Sequence, residues 1–310
     1  MSWSFWRNKT CWILHDWQKM KKIIILIPVF NDWESLKKLI YEINENIKGY
    51  NNIDFECLVV NDSSTIIQPK LNKPKNTKSL EILNMKENRG HARCNAFGIR
   101  YVFQKKEFDN LILMDGDGED RPVEIKSLVN EALNDPNASV VAKRIKRSEG
   151  FLFQLLYQIH KIIAYIFTGK KVNFGNYSCL TKQDVETLHS KPSLWSSFSG
   201  TVIKNLKSLN EISSIRGPRY FGPSQMSLFK LLIHSFSIVA VFKYQVFLRS
   251  TFVIVILAYL NIYIGNISIF FQILIVIFNL LIFIISLREK KDDLISSHNN
   301  LDTIEEIIRQ

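Results

Sequence analysis

The sequence predicts an α/β protein: a mostly parallel sheet with helices on both faces, followed by interfacial helices and a two-helix transmembrane hairpin. Three observations carry this reading. Short apolar runs alternate with helical stretches from Lys22 to Arg144, the order that builds a parallel sheet covered on both faces. Three of those runs end in polar clusters, Asn31/Asp32, Asn61/Asp62 and Asp115/Asp117. From Ser250 to Leu287 there are 38 residues without a charge.

The elements follow in order. Lys22–Pro28 (KIIILIP) is apolar, β-branched and ended by Pro, the form of a buried parallel strand. Asn31 or Asp32 is placed to cap a helix from Trp33 to about Ile47, with Leu36, Leu39, Ile40 and Ile43 at helical spacing. Phe55–Val60 is a second strand. A polar, Lys-rich loop from Pro69 to Lys78 leads to a third strand at Leu80–Leu83. Asn88-Arg89-Gly90 opens a helix over His91–Phe103. Asn110–Met114 is the fourth strand, and Pro122 starts the helix that Val123–Leu133 continues. Ser139–Ala142 is the fifth strand, with Lys143 and Arg144 behind it.

After Arg144 the character changes. Gly150–Phe167 is apolar with polar interruptions, and reads either as a helix lying in a membrane interface or as a core helix. Ser224–Tyr244 has the same look. The charge-free stretch divides into two spans, Phe247–Ile264 and Ile267–Leu287, turning at Gly265-Asn266; a span needs about 20 residues to cross about 30 Å of hydrocarbon. Lys243 and Arg249 precede the hairpin, Arg288, Lys290 and Lys291 follow it, and its turn is uncharged. By the positive-inside rule both ends face the cytoplasm. The expected product is an integral membrane protein with its large front portion cytoplasmic, on the inner membrane if the source is bacterial.

The resulting division is an N-terminal extension (1–21), an α/β domain (22–222, with 150–168 interfacial), a juxtamembrane helix (223–245), two spans (246–287) and a charged cytoplasmic tail (288–310). A chain of 310 residues, 46% apolar and carrying net charge +11, has room for about two domains. Residues 1–22 mix Trp3, Trp6, Trp12 and Trp17 with charges and hold no continuous apolar stretch, so no signal peptide is expected. Those rings suit either a membrane interface or an extension. Cys11, Cys57, Cys94 and Cys179 show neither a CxxC nor a zinc spacing, and read as reduced packing residues.

Asp115 and Asp117 stand at the end of the fourth strand, and ligands of open α/β sheets bind at that carboxyl edge. Two hard oxygens suit a divalent cation such as Mg²⁺, which keeps substrate phosphates as further ligands. Alone the pair is equally a surface turn. Its company points to a nucleotide diphosphate: Asp62 and Asp32 for base and ribose, Asp117 with Asp115 and Glu119 for a metal, Arg144 and Arg219 for phosphate charge.

With these residues in place the chain resembles family 2 glycosyltransferases of the GT-A fold, and more narrowly the polyprenyl-phosphate sugar transferases related to dolichol-phosphate mannose synthase. The resemblance spans about Lys21 to Leu287. It rests on Ile27-Pro28-Val29-Phe30-Asn31-Asp32, on Asn61-Asp62-Ser63-Ser64, and on Asn88, Gly90 and Ala92. It continues through Asp115, Asp117, Glu119, Asp120 and Pro122, then Ala142-Lys143-Arg144, then Arg219, Gly222 and Ser224. The resemblance implies that Pro28, Asn31, Asp32, Asp62, Asn88, Gly90 and Asp115 hold a nucleotide sugar. Asp117, Glu119 and Asp115 would hold Mg²⁺ or Mn²⁺, and Arg144 and Arg219 would bind phosphates. It further implies inverting transfer of the sugar to a lipid phosphate at the membrane. No nucleic-acid partner is expected, and self-association of the hairpins stays open.

There are departures. Asn61 and Ser63 stand where relatives carry Asp and Gly, and Glu119 where they carry Gln. Phe174-Gly175-Asn176-Tyr177-Ser178 stands where many relatives have Gly-Asp-Phe-Arg. Asn176 is therefore either a site residue or a plain strand-turn residue. Two other readings remain: the same chemistry on another lipid or glycan acceptor, or a non-catalytic member acting as a membrane partner.

Overall fold

A computed structural model describes residues 20–146, 151–223 and 228–308. The Trp-rich extension over 1–19 with Cys11, and Gly150, Ser224 and Gln310, lie outside the described residues.

The α/β portion is an eight-stranded sheet in the order β7-β5-β6-β4-β1-β2-β3-β8. Its strands are β1 (Lys21–Val29), β2 (Ile53–Asn61), β3 (Ser79–Met85), β4 (Asn110–Leu113), β5 (Ser139–Lys146), β6 (Phe174–Thr181), β7 (Leu209–Ile215) and β8 (Leu301–Glu306). The centre, β4-β1-β2-β3, is parallel throughout. β1 is an apolar run because both of its faces are covered. Ile23, Ile25, Ile27 and Val29 pack on one face against α1 (Trp33–Asn46) and α3 (Ile125–Asn134). Ile24 and Leu26 pack on the other against α2 (His91–Lys105), α5 (Lys182–Leu188) and α6 (Phe198–Asn205). Each fully buried Ile or Leu contributes roughly 1.5–3 kcal/mol of apolar burial, so β1 anchors the sheet.

Asp32 occupies the N-terminal cap position of α1, yet its side chain makes no capping bond. The carboxylate is turned to Arg219 instead. The five expected strands and three intervening helices are present. The sequence reading had no counterpart for β6 and β7. β6 inserts antiparallel between β4 and β5, and β7 continues parallel beyond β5.

Behind the sheet lies a helical layer: α4 (Phe151–Thr168), α7 (Leu228–Ala240), α8 (Lys243–Ile264) and α9 (Asn266–Ser286). Ala164, Val239, Ala240, Val246 and Ile282 form its shared core, with Phe167, Phe236 and Phe278 packed on it. Of the stretch expected over Ser224–Tyr244, the described residues from Leu228 onward are divided between α7 and the start of α8. The turn falls at Gly265, whose φ of 56° suits a residue without a side chain. α8 and α9 are long and apolar enough to cross a membrane, with mean hydropathies of 1.8 and 2.8 over their most apolar windows. Only 6% and 11% of those windows are buried, whereas a soluble core helix would hide most of such a surface.

The charged tail expected over 288–310 is corrected. After α10 (Lys291–Ile295) and a 3₁₀ turn (Ser296–Asn300), β8 pairs antiparallel with β3, with Met85 opposite Leu301 and Glu81 opposite Glu306. Its LDTIEE sequence reads as tail because an edge strand with one open side tolerates charge. The chain therefore leaves the sheet for the helical layer after β7 and returns to the same sheet after α9.

Candidate active site

Topology brings the chemistry to one edge. The carboxyl ends of β1, β2 and β4 carry Asp32, Asp62 and Asp115/Asp117. Parallel β5 and β7 bring Arg144 and the Arg216–Arg219 segment to the same side. β6 runs the other way, so its beginning lies there. β4 and β6 pair Leu113 with Ser178; continuing that register by two residues sets Asp115 opposite Asn176.

Asn176 Nδ2 donates to Asp115 Oδ1 at 3.1 Å and lies 2.7 Å from His91 Nε2. His91 Nε2 is 3.2 Å from the same Asp115 oxygen. An amide, an imidazole and a carboxylate thus close a triangle. Burial alone would raise the Asp115 carboxyl, but His91, Asn176 and Arg144 together hold it well below the usual carboxylate range. Burial works against the charged form of His91; Asp115, with Asp117 and Asp120, outweighs it and the imidazole pKa is raised.

Asp117 sits in the opposite environment. Burial, then Asp115 and Glu119, push its pKa up to about 6, against the pull of the Glu119 amide and Arg219. Its Oδ2 accepts from Arg219 Nη1 at 2.8 Å, and Arg219 Nη2 pairs with Asp32. Glu119 is held by Arg216, whose Nε donates to Oε2 at 2.8 Å. Two backbone bonds, Gly217 N to Glu119 O at 2.8 Å and Tyr220 N to Asp117 O at 3.0 Å, strap residues 216–220 across the acidic loop. Asp120 accepts from the Asp115 amide at 3.0 Å and lies 3.8 Å from Arg144. Burial, then Asp115, raise Asp120 to about 7. Gly175 leaves room for the Arg144 guanidinium, which a Cβ there would approach to 2.8 Å.

The remaining expected residues divide. Asp62 is buried, and its two oxygens accept from the Arg89 and Gly90 amides at 2.9 and 2.8 Å, holding the start of α2. Asn31 (φ 53°) accepts through Oδ1 from the Thr65 and Ile66 amides at 2.8 and 3.1 Å, so its side chain shapes a loop. Pro28 borders the acidic loop through its carbonyl, beside Gly116. Asn88 is exposed at the mouth, next to Gly90. Three site residues lacked a clear sequence signal: His91, Arg216 and His234. His234, on α7, feels His91, Asp115 and Arg144, and burial followed by His91 lowers it to about 4.

Among the described residues no set of three or more His, Cys, Asp or Glu side chains forms a ready metal cage. The donor chemistry nonetheless fits a hard cation: Asp115 and Asp117 are carboxylates two residues apart, and the charges of Asp115 and Glu119, which add to burial in raising Asp117, are the excess negative charge a cation relieves. Magnesium-type sites use one or two protein carboxylates and take the rest from substrate phosphates.

A family model described as glycosyl transferase family 2 matches residues 24–196. Among solved structures the chain is similar to glucosyl-3-phosphoglycerate synthase from Mycobacterium tuberculosis in complex with Mn²⁺, UDP-glucose and phosphoglyceric acid. Identity is 13% and the TM-score 0.50, over 73% of this chain and 80% of that one. It is also similar to S. aureus TarS 1–349, at 12% identity and TM-score 0.43, over 72% of this chain and 65% of that one. At such identities the likeness is one of fold. No curated protein matches the chain.

Proposed function

The chain belongs to glycosyl transferase family 2 and is a glycosyltransferase; from that premise we propose that it moves a sugar from a nucleotide-diphosphate sugar to a polyprenyl-type lipid phosphate at the cytoplasmic membrane face. One observation carries the acceptor. His234 on α7 is within electrostatic range of His91, Asp115 and Arg144, and the same helix packs through Val239 and Ala240 into the core it shares with the apolar hairpin. The site therefore adjoins the layer that would meet lipid. Exposed apolar side chains on α4 and α7, among them Ile162, Tyr165, Ile166, Phe229 and Leu232, suit an interfacial position.

In this reading residues 22–222 together with β8 form the catalytic unit, 223–245 run along the membrane, and 246–287 anchor it. Asp32, Asp62, Asn88 and Gly90 frame the nucleotide, with Pro28 and Asn31 shaping the floor. A lipid phosphate is already ionised near neutral pH, so no strong base is required. Its oxygen attacks the anomeric carbon from the face opposite the diphosphate. The new C–O bond forms as the bond to the diphosphate breaks; the nucleoside diphosphate leaves with the electron pair, and configuration inverts. Arg144 and Arg219 offset the negative charge of acceptor and leaving group, and Arg219 does so while already aligned by Asp32 and Asp117. Asn176 fixes Asp115 against the sugar. Asp117, with Asp115 and Glu119 beside it, would hold Mg²⁺ or Mn²⁺, which supplies charge neutralisation on the diphosphate. The M. tuberculosis neighbour binds Mn²⁺ with UDP-glucose, which supports this donor class.

The test is incubation of membranes containing the protein with radiolabelled UDP- and GDP-sugars, followed by organic extraction. Label in a lipid that mild acid releases as free sugar supports the reading. Label confined to a water-soluble or polysaccharide product would reassign the acceptor.

A further inference from the structure

The C-terminal segment reaches the active-site edge. β8 runs antiparallel to β3, so its beginning lies at the carboxyl end of β3, where residues 86–90 lead into α2. Asn300, buried to 3% exposure, brackets that loop with three bonds. Its carbonyl accepts from Lys86 N at 2.8 Å, its Oδ1 accepts from Glu87 N at 3.2 Å, and its Nδ2 donates to Glu87 O at 3.0 Å. Lys86 Nζ adds a bond to Asn299 O at 3.0 Å. Two residues further on, Asp62 holds the Arg89 and Gly90 amides. Asn88 is thus suspended between two clamps, one from the C-terminal segment and one from β2. The primary amide, with an acceptor oxygen and a donor nitrogen side by side, serves both the N–H and the C=O of one residue, Glu87.

A second connection runs along the same edge. Thr303 Oγ1 accepts from Asn84 Nδ2 at 3.1 Å, Asn84 Oδ1 from Asn61 Nδ2 at 2.8 Å, and Asn61 Oδ1 from Ser64 N at 3.0 Å. Ser64 Oγ then accepts from Asn31 N at 2.9 Å. β8 is therefore bonded, strand by strand, to the turns after β2 and β1.

We propose that Asn300 is a positioning residue for the nucleotide-sugar donor: the segment returning from the membrane hairpin sets the conformation of Lys86–Gly90, and through it donor affinity. This rests on the donor reading of the edge given above. A merely structural role would lower stability without separating the kinetic constants.

The experiment uses the full chain in detergent micelles, with the donor selected by the membrane assay. Asn300→Ala, and the near-isosteric, uncharged Asn300→Leu, are expected to raise donor KM about tenfold with kcat within twofold of wild type. Amide exchange across residues 86–90 should accelerate at the same time. In the wild-type protein, the donor's nucleoside diphosphate should slow exchange across 86–90 and 297–303 together, a readout that needs no variant to fold. Unchanged exchange in the variants overturns the bracket. Faster exchange with unchanged donor KM overturns the positioning role, as does nucleotide protection confined to 86–90. If the wild type transfers no sugar from any donor, the donor reading falls and takes this inference with it; the exchange data distinguish that failure from the others.

Discussion

Arg219→Ala is the most informative single substitution. Arg219 lies between Asp32 and Asp117, and all three side chains are only 16–18% exposed. Breaking a buried ion pair by removing one partner costs about 3–5 kcal/mol. Partial exposure at this edge reduces that to roughly 2–3 kcal/mol. For a chain of this size the unfolding midpoint should fall by about 5–10 °C. The loss has a specific remedy. Asp117 is already raised by burial and then by Asp115 and Glu119, and without Arg219 its Oδ2 has lost that donor, so millimolar Mn²⁺ should restore more of the midpoint in the variant than it adds to wild type. In transfer assays kcat/KM should drop about 10²–10³-fold, the usual cost of losing one preorganised charge donor. Arg219→Lys should fall between, keeping the charge but not the two-pronged geometry. Thermal unfolding with and without Mn²⁺, alongside transfer kinetics, checks all three. A variant that unfolds at the wild-type temperature and transfers at the wild-type rate refutes the reasoning.

Gly116→Ala would set a Cβ 2.8 Å from the Pro28 carbonyl, pushing the acidic loop off β1; transfer should fall at least tenfold while membrane integration persists, read by activity and carbonate extraction. Reporters fused to the N-terminus and to the C-terminus should score on the same, cytoplasmic, side, because β7 precedes and β8 follows the hairpin in one sheet; opposite scores would overturn the hairpin. Asp120 has its pKa raised by burial to about 7 from 3.8. A carboxyl raised on folding stabilises the protein most when protonated, so this contribution is full below about pH 4 and is lost as pH climbs to about 7. Asp120→Asn should therefore flatten part of the decline in unfolding temperature between pH 4 and 7; an unchanged slope would contradict the shift.

The sequence disclosed the parallel half of the sheet because β1 from Ile23 onward, β4 and the second half of β2 are buried without interruption and appear as apolar runs, while β3 shows through Leu80, Ile82 and Leu83, buried around a half-buried Glu81. β6 and β7 escaped for physical reasons. FGNYSCLT begins with turn-forming residues that serve the site, and LNEISSI is half polar because it forms a sheet edge. β8 escaped for the same reason as β7. Asp115, Asp117, Arg144 and Arg219 could be assembled from the sequence because strand ends converge. The Asn176–His91 contact could not, since it depends on an antiparallel register set over long range. Nor could the amide chain from Thr303 to Asn31, which gives Asn61 a bonding role: it donates to Asn84 while accepting from Ser64.

The most direct measurement compares wild-type and Asp117→Ala membranes in the radiolabelled nucleotide-sugar assay, with Mn²⁺ and with EDTA. The account predicts label in the lipid extract from wild type with Mn²⁺, and background label both with EDTA and from Asp117→Ala inserted at equal abundance. Undiminished lipid labelling by Asp117→Ala, or by wild type in EDTA, would contradict it.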